Sequence, residues 1–353
     1  MGQGGEVRGY QAGVTLKFVT DHFGEGNTMK PPRRTFLRLA AGAAALPVVT
    51  RVARAQTYPV RPVRIVVPFA AGGTADILGR LWGQWLSERL GQQFIIDNRA
   101  GAATNTGTEA VVRATADGYT LLLVTPPNVV NVTLYENLNF NFLRDIAPVA
   151  SVSTTPGVVV VNPRFPARTI PELIVYARAN PGKIAMATQG NGGSAHIYGE
   201  MFKQMVGVDM VAVPYRGEGP ALTDLIGGQV QVMFAIMPSA IEYIRAGTLR
   251  ALAVTDAARA QVLPDIPTVA EFVPGYQAAA FQGIGAPKST PTEIVNKLNT
   301  EIRALLGDPK VKARLADLGS TALALSPADF GKLIAAETEK WGKVIRAAKI
   351  KPE

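Results

Sequence analysis

Apolar and polar positions follow two alternating patterns from residue 56 onward. Short, nearly continuous apolar runs alternate with stretches in which apolar residues recur every three or four positions. The first pattern is typical of strands buried on both faces of a parallel sheet, and the second of helices with one apolar face. The predicted strands are residues 63–69, 94–96, 119–124, 147–152, 158–161, 184–187, 210–213, 230–234, 249–254 and 281–286.

Helices fill most of the intervals between these strands. The first is predicted over residues 77–90 and ends at Gly91, and a second lies near residues 109–114. Four later helix starts are marked by capping residues at Thr169, Thr290, Asp308 and Ser326. Alternating strands and helices predict an α/β fold, with a parallel sheet and helices on its faces.

The pattern changes where the chain is predicted to cross between domains. Residues 146–162 are rich in strand without a helix, and residues 281–286 form the expected return strand. We therefore predict domain 1 from residues 56–155 and 280–353, and domain 2 from residues 156–279. Two α/β domains joined by two crossings predict a cleft that closes by hinge motion.

The first 55 residues are predicted to be an export leader. Met29 is followed by Arg33 and Arg34, by an apolar run over residues 39–49, and by a small-residue cleavage site that ends at Ala55. These are the parts of a twin-arginine signal peptide, and the run is too short to span a membrane. A general secretory signal with the same destination, or a basic N-terminus without a signal, are the alternatives. We expect translation to start at Met29, cleavage after Ala55 and a periplasmic location.

Composition narrows the classes of function. The leader holds eight of the 36 basic and three of the 27 acidic side chains, which leaves residues 56–353 with a net charge of +4. No basic run with interleaved aromatics remains, so nucleic-acid binding is not expected. The chain has no cysteine, and His196 is the one histidine after the leader, so thiolate chemistry and clustered histidine metal sites are excluded. We expect a monomer without metal or cofactor.

The loop after the first predicted strand has the composition of an anion-binding site. Residues 68–76 read PFAAGGTAD and lead into a helix. Gly72 and Gly73 let backbone N–H groups approach a ligand, and the helix N-terminus favours negative charge. Asp76 lies in the first turn of that helix. It either complements the helix dipole or accepts a hydrogen bond from a hydroxyl or ammonium group of the ligand.

A second loop of the same kind follows the strand at residues 184–187. Residues 188–196 read TQGNGGSAH, with glycines that form a flexible cradle and Ser194 as the predicted helix cap. The stretch matches GxGxxA, but no acidic residue closes the next strand, so a dinucleotide site is weakly indicated. Ser194 and His196 suggest a hydrolase, yet GGSAH is not GxSxG.

A third loop, VPYRGEGPAL over residues 213–222, faces the same predicted cleft. Arg216 in this loop either offers a bidentate fork to a carboxylate or is solvated. Residues 97–107, DNRAGAATNTG, supply further small residues near the mouth of the cleft. Ligands of open α/β sheets bind at the carboxyl ends of strands, where all four loops lie.

Six motifs in a fixed order resemble the Bug family, the extracytoplasmic binding proteins of tripartite tricarboxylate transporters. They are PFAAGGTAD, DNRAGA, DGYTLLL, GNGGSAH, PYRGEGPALTDLIGGQVQVMF and GTLRALAVT, and the likeness runs from about residue 58 to the C-terminus. The resemblance implies a type II periplasmic binding-protein fold, in which two α/β domains joined by two crossover strands close around a small carboxylate.

The resemblance also assigns residues to the ligand. Backbone groups of the first and second loops are expected to bind the carboxylate, and Asp76 to read the distal end of the ligand. The full set of candidate ligand-binding residues is Ala71, Gly72, Gly73, Thr74, Asp76, Gly190, Asn191, Ser194, His196, Tyr215 and Arg216.

Two stretches depart from the family pattern. The NRPGAGG-like stretch of the family reads NRAGAAT here, and the side chains of Ala103 and Thr104 are expected to narrow or repolarise that wall. The aspartate that often follows the MF pair is Ala235. The expected function is capture of a small organic carboxylate and its delivery to a membrane permease. A sensor subunit for a membrane kinase, or an exported hydrolase that uses Ser194 and His196, are the alternatives.

Overall fold

A computed structural model describes residues 58–352, so the predicted leader and its cleavage site lie outside the described residues. Ten strands occur in this part of the chain. They are β1 Val63–Val67, β2 Phe94–Asn98, β3 Thr120–Val124, β4 Ile146–Val161, β5 Ala185–Thr188, β6 Val211–Pro214, β7 Val232–Ile236, β8 Arg250–Val254, β9 Ala279–Pro287 and β10 Thr321–Ala322.

Eleven α-helices connect or cover these strands within residues 58–352. They are α1 Thr74–Leu90, α2 Asn105–Val112, α3 Pro126–Leu134, α4 Phe142–Asp145, α5 Ile170–Ala179, α6 Ser194–Val206, α7 Glu218–Gly227, α8 Met237–Arg245, α9 Thr292–Gly307, α10 Pro309–Asp317 and α11 Pro327–Ala348. None of the described helices is both long and apolar enough to cross a bilayer.

The strands form two parallel sets on either side of an antiparallel pair. Their order is β2-β1-β3-β9-β4-β7-β5-β6, with β8 and β10 also paired to β4. Strand β1 runs parallel to β2 and β3, and β5 runs parallel to β6 and β7. The α/β prediction with parallel strands is therefore confirmed. The carboxyl ends of both parallel sets carry the loops that the sequence marked as ligand-binding.

The antiparallel pair joins the two sets. Strand β4 is one strand of 16 residues, whereas the sequence predicted two strands separated near Pro156. Residues 146–156 pair with β9, and residues 157–161 pair with β7. The strand continues past the proline because the Gly157 N–H donates to Thr255 Oγ1 at 2.7 Å and the Gly157 carbonyl accepts from the Thr255 N–H. The predicted domain limits at residues 155–156 and 279–280 stay a prediction.

Three helices were not predicted from the sequence, namely α3, α4 and α8. Both α3 and α8 have proline in the first turn, where the missing N–H removes no intrahelical bond. Proline and asparagine in these segments read as turn residues in the sequence. The predicted cap at Thr290 is wrong, because Pro291 precedes α9 without a side-chain cap, whereas Asp308 and Ser326 cap α10 and α11 as expected.

The apolar faces of the helices bury against the sheet. Leu78, Trp82 and Leu86 of α1 are fully buried with β1, and Trp85 packs edge-on against Trp82 at 5.0 Å between ring centroids. Burying such side chains contributes roughly 1.5–3 kcal/mol each. The packing fixes the N-terminus of α1 at the end of β1, where the first glycine loop begins.

Candidate functional site

The loops before α1 and α6 share one backbone geometry. Gly72 and Gly192 both have positive φ, at 88° and 76°. Gly73 and Gly193 are extended and immediately precede the first helical residue. The sequences around these pairs, GGTAD and GGSAH, are two copies of one short pattern that sequence analysis read separately. Gly193, not Ser194, is the cap residue of α6, so the predicted capping role of Ser194 is wrong.

A side chain of the following helix holds each loop. Asp76 Oδ2 accepts a hydrogen bond from the Gly72 N–H at 3.0 Å. His196 Nδ1 accepts a hydrogen bond from the Gly192 N–H at 3.1 Å. In both loops the acceptor lies four residues after the glycine, so each helix orders the turn that leads into it.

The Asp76 carboxylate binds groups of the protein itself. Its side chain is buried, and Arg80 donates to Oδ2 at 3.1 Å and pairs with Oδ1 at 2.9 Å. Burial alone would raise the pKa of Asp76, but hydrogen bonds from Arg80, the Gly72 N–H and Asn98 lower it below the usual range. Contact between Asp76 and the distal end of a ligand stays a prediction.

His196 likewise has an internal role, because the ring nitrogen with which it could act as a general base already accepts a hydrogen bond. A neutral imidazole has one acceptor nitrogen, and that nitrogen is bonded to the Gly192 N–H. The other nitrogen, Nε2, lies 3.7 Å from Glu200 Oε1. This arrangement leaves no lone pair with which His196 can activate Ser194, so it gives the hydrolase alternative no support.

Five helix N-termini converge on a small cavity, which we call the inner cavity. It has a volume of about 30 Å³, and its wall includes residues from the starts of α1, α3, α6 and α7 and from the strand end before α8. Helix N-termini carry unsatisfied N–H groups and a partial positive charge. A cavity at which several of them meet is suited to an anionic head group.

Two backbone donors at this cavity are open to a ligand. The N–H groups of Ala75 and Ser194 precede the first intrahelical bonds, and within residues 58–352 neither has a hydrogen-bond partner. Two neighbouring donors are taken by the protein itself. The Thr74 N–H donates to Glu218 Oε2 at 2.9 Å, and the Ala195 N–H donates to Gln189 Oε1 at 3.0 Å.

Glu218, the first residue of α7, is a component of the site that sequence analysis missed. It is 5% exposed, and Oε1 accepts from the Ile236 N–H at 2.9 Å. Burial raises the pKa of Glu218, although the N–H groups of Ile236 and Thr74 and nearby hydroxyls oppose the rise. An acidic residue at a helix start usually complements the dipole in solvent, so its position gave no signal of burial.

A larger cavity adjoins the inner one, and we call it the outer cavity. Its volume is about 550 Å³, and it shares Phe69 and Gln189 with the wall of the inner cavity. Arg216 lines it and is exposed, with no ion-pair partner among the described residues. The Tyr215 hydroxyl donates to Asp224 Oδ2 at 2.7 Å, and burial together with this bond raises the pKa of Tyr215 to about 12.

A left-handed turn over residues 101–104 forms one wall of the outer cavity. Ala102, Ala103 and Thr104 have φ values of 43°, 49° and 84°. Such values are strained for residues with a Cβ, above all for β-branched threonine. Asn131 of α3 holds the turn, because its Nδ2 donates to the Ala103 carbonyl at 2.6 Å and to Thr104 Oγ1 at 3.2 Å.

The structure divides the candidate ligand-binding residues into three groups. Those in the wall of the inner cavity are Gly73, Thr74 and Ser194, and those in the wall of the outer cavity are Gly190, Tyr215 and Arg216. The candidates that line neither cavity are Ala71, Gly72, Asp76, Asn191 and His196. No cluster of residues suited to a metal ion occurs in the described part of the chain.

Comparison with known proteins identifies the kind of protein to which this geometry belongs. The profile of the tripartite tricarboxylate transporter family receptors matches residues 79–350. The protein BugT of Bordetella pertussis is 36% identical over 318 residues, which cover 89% of this chain and 96% of BugT.

Solved structures agree with that assignment. The R. palustris protein Rpa4515, solved with adipate, is 38% identical, covers 84% of this chain and all of its own, and superposes with a TM-score of 0.82. MatC from Rhodopseudomonas palustris, solved with bound malate, is 32% identical, covers 82% of this chain and all of its own, and has a TM-score of 0.78. These likenesses confirm the periplasmic binding-protein fold and the resemblance to the Bug family.

Proposed function

This chain belongs to the tripartite tricarboxylate transporter receptor family and is a solute-binding receptor, and on that premise we propose that it captures a linear dicarboxylate between its two domains. One carboxylate of the ligand binds in the inner cavity and the other reaches the outer cavity. The observation that carries this proposal is the pair of open N–H groups, on Ala75 and Ser194, at a point where five helix N-termini meet.

The dimensions of the two cavities favour a ligand with two separated ends. The inner cavity, at about 30 Å³, has room for a head group and not for a whole dicarboxylate. The outer cavity, at about 550 Å³, lies in the size range of ordinary ligand sites and carries the guanidinium of Arg216, which has no ion-pair partner within residues 58–352. The relatives solved with adipate and malate bind molecules of this class.

The site also supports recognition without catalysis. The acceptor nitrogen of a neutral His196 is bonded to the Gly192 N–H, and the open backbone groups of Ala75 and Ser194 at the inner cavity are donors that hold an anion rather than attack it. We therefore propose a receptor and not an enzyme. We further propose that residues 1–55 direct export to the periplasm by the twin-arginine route, and that membrane permease subunits receive the ligand.

Calorimetric titration with a panel of carboxylates tests the proposal. The panel contains malate, succinate, adipate and citrate, with hexanoate as a monocarboxylate of matched length. Micromolar binding corresponds to roughly 8 kcal/mol. We expect a linear dicarboxylate to bind in this range and hexanoate to bind more weakly. Absence of heat with every member of the panel would contradict the proposal.

A pair of variants at Ser194 tests the backbone donor directly. Ser194 is the first residue of α6 and follows Gly193 at ψ 158°, so proline fits there while its ring removes the N–H. A charge-assisted hydrogen bond contributes roughly 1.5–3 kcal/mol, so Ser194→Pro should weaken dicarboxylate binding by about tenfold or more. Ser194→Ala keeps the N–H and is the control, with an expected change of a few-fold at most.

A further inference from the structure

The inner cavity already contains a carboxylate of the protein, that of Glu218. Both of its oxygens are bonded, Oε2 to the Thr74 N–H at the start of α1 and Oε1 to the Ile236 N–H at the end of β7. No lysine, arginine or histidine pairs with it within residues 58–352. The side chain thus occupies part of an anion-binding site with a negative charge that no cation balances.

We propose that Glu218 makes ligand capture proton-coupled. The ligand carboxylate accepts hydrogen bonds from the Ala75 and Ser194 N–H groups, and it also accepts one from a protonated carboxyl group on Glu218. Binding of one dicarboxylate therefore takes up one proton from solvent, which bonds to a Glu218 oxygen and bridges the two carboxyl groups. This inference rests on the proposed function, because it needs a carboxylate in the inner cavity.

The geometry supports a shared proton because the donors and the acid lie in one wall. Ala75, Ser194 and Glu218 all line a cavity of about 30 Å³, so an anion held by the two N–H groups lies beside the Glu218 carboxyl group. Two ionised carboxylates at that separation and without a cation repel each other strongly, and such pairs titrate by sharing one proton. Burial raises the pKa of Glu218 even before a ligand enters.

The charged and titratable groups of the surrounding elements do not replace this proton. On α1, Asp76 is bonded to Arg80 and to the Gly72 N–H. On α6, His196 Nδ1 is bonded to the Gly192 N–H, and the phenol of Tyr198 is held neutral by burial, with a pKa well above its usual value. On α8 the nearby group is the neutral hydroxyl of Ser239, and on α7 Asp224 is bonded to Tyr215.

A rival arrangement keeps Glu218 ionised. In that case the ligand would place a hydroxyl or ammonium group against Glu218 and its carboxylate against the two N–H groups. No proton would be taken up, and 2-hydroxy or 2-amino acids would bind more tightly than plain dicarboxylates. The two arrangements therefore differ in the number of protons taken up for each ligand bound, which can be measured.

The experiment is calorimetric titration of the full protein with adipate between pH 6.5 and 8, in two buffers that differ in ionisation enthalpy. We expect an uptake close to one proton per adipate and a loss of affinity of about tenfold for each pH unit above the pKa of Glu218. In Glu218→Gln the uptake should fall to zero and the affinity should no longer depend on pH. Adipate is fully ionised at the upper end of this range, so its own protonation does not imitate the effect.

Three results would overturn the inference. They are a proton uptake of zero in the wild-type protein, an uptake that persists in Glu218→Gln, and a clear preference for malate over succinate without proton uptake. Failure of every carboxylate to bind would instead refute the proposed function and the inference with it. Binding of adipate without proton uptake would leave the proposed function intact.

The pH dependence of unfolding, measured without ligand, tests the inference even if Glu218→Gln binds adipate too weakly for calorimetry. Because burial raises the pKa of Glu218 in the folded protein, the folded state holds this proton more tightly than the unfolded chain does. Relative to Glu218→Gln, the unfolding free energy of the wild type should fall as pH rises from the ordinary glutamate pKa to the raised one, and then level off. Urea unfolding between pH 4.5 and 8 measures it, and a difference that is independent of pH would contradict the inference.

Discussion

The inner and outer ends of the proposed ligand site make left-handed turns with different residues. At the inner end the positive φ angles belong to Gly72 and Gly192, which adopt them without steric cost. At the outer end Ala102, Ala103 and Thr104 adopt them, at a cost of roughly 1–3 kcal/mol each. We therefore expect the inner end to accept carboxylates of different shapes, and the outer wall, which is shaped at an energetic cost, to select among ligands.

The two ends also differ in what holds them. Each inner loop is bonded by one side chain of its own helix, Asp76 or His196. The outer turn is bonded at the Thr104 carbonyl by Thr108 of the following helix α2, but also by Asn131 of a different helix, α3, whose Nδ2 donates to the Ala103 carbonyl and to the Thr104 hydroxyl. The side chain that bonds each inner glycine is therefore local, while the Thr74 N–H of the first loop is also bonded to Glu218 of α7, and the outer turn depends in addition on the packing of α3.

Adding a methyl group to a glycine of the inner loops should cause the largest loss of unfolding free energy. In Gly192→Ala the new Cβ would lie 2.6 Å from Leu134 Cδ2 at a φ of 76°, and we expect a loss of unfolding free energy of about 2–4 kcal/mol. Gly72→Ala meets no atom within 4 Å and should lose only about 1 kcal/mol from backbone strain. Urea unfolding compares the two, and equal losses would show that close packing does not distinguish the loops.

Removing the local support of the first loop should have the next largest effect. Asp76→Asn should lower the unfolding free energy at pH 7 by about 1–2 kcal/mol, the lower part of the range for charged hydrogen bonds, because solvent screens the exposed Arg80. The pKa of Asp76 is lowered in the folded protein, so this contribution is complete above the ordinary carboxyl pKa and is lost progressively as the pH falls from that value through the lowered pKa of the folded state. Unfolding of both proteins from pH 7 to pH 3 measures how the difference narrows, and a difference of constant size over this range would contradict the prediction.

Neutralising the outer end should weaken only ligands that reach it. Arg216→Gln should lower the affinity for adipate by roughly two- to fivefold, which corresponds to at most about 1 kcal/mol for a solvent-exposed ion pair. The affinity for hexanoate, which has no second carboxylate, should stay unchanged. Calorimetric titration with both ligands gives the comparison, and equal losses would place the effect of Arg216 elsewhere than on the distal carboxylate.

Relieving the strain of the turn at residues 101–104 should have the smallest effect, and it should stabilise the protein instead of destabilising it. Ala103→Gly removes a Cβ from a φ of 49° and should raise the unfolding free energy by about 0.5–1 kcal/mol, after the greater entropy of glycine in the unfolded chain is counted. Ala110→Gly, in the middle of α2, is the control and should lower it by about the same amount. If both variants lose stability alike, the turn at residues 101–104 is not strained.

Most of the sheet could be predicted because its strands are buried on both faces. Such strands appear in the sequence as apolar runs, and β1, β3 and β9 lie within a few residues of their predicted positions. The single strand β4 could not be predicted in this way. Pro156 and Gly157 are residues that usually end strands, and the bond from Gly157 to Thr255 that carries the strand onward joins residues 98 apart.

The backbone geometry of the candidate site could be predicted where one loop contains all of the residues that shape it. The glycine pairs and helix starts of the two inner loops are contiguous in sequence, so each loop could be recognised as a candidate for anion binding, and ligand contact by these loops stays a prediction. Glu218 was not predicted, because its burial depends on contact with Thr74, 144 residues away. Asn131 was missed for the same reason, since the strained turn that it bonds is 28 residues earlier in the chain.

The continuity of β4 has a consequence for dissecting the molecule. Its 16 residues pair with β9 at one end and with β7 at the other, without an intervening linker. A gene fragment that stops anywhere in this strand would leave an open sheet edge with unpaired backbone groups, which invites aggregation. The two halves are therefore inseparable as recombinant pieces, and chimaeras between relatives must exchange loops on the intact scaffold instead of whole lobes.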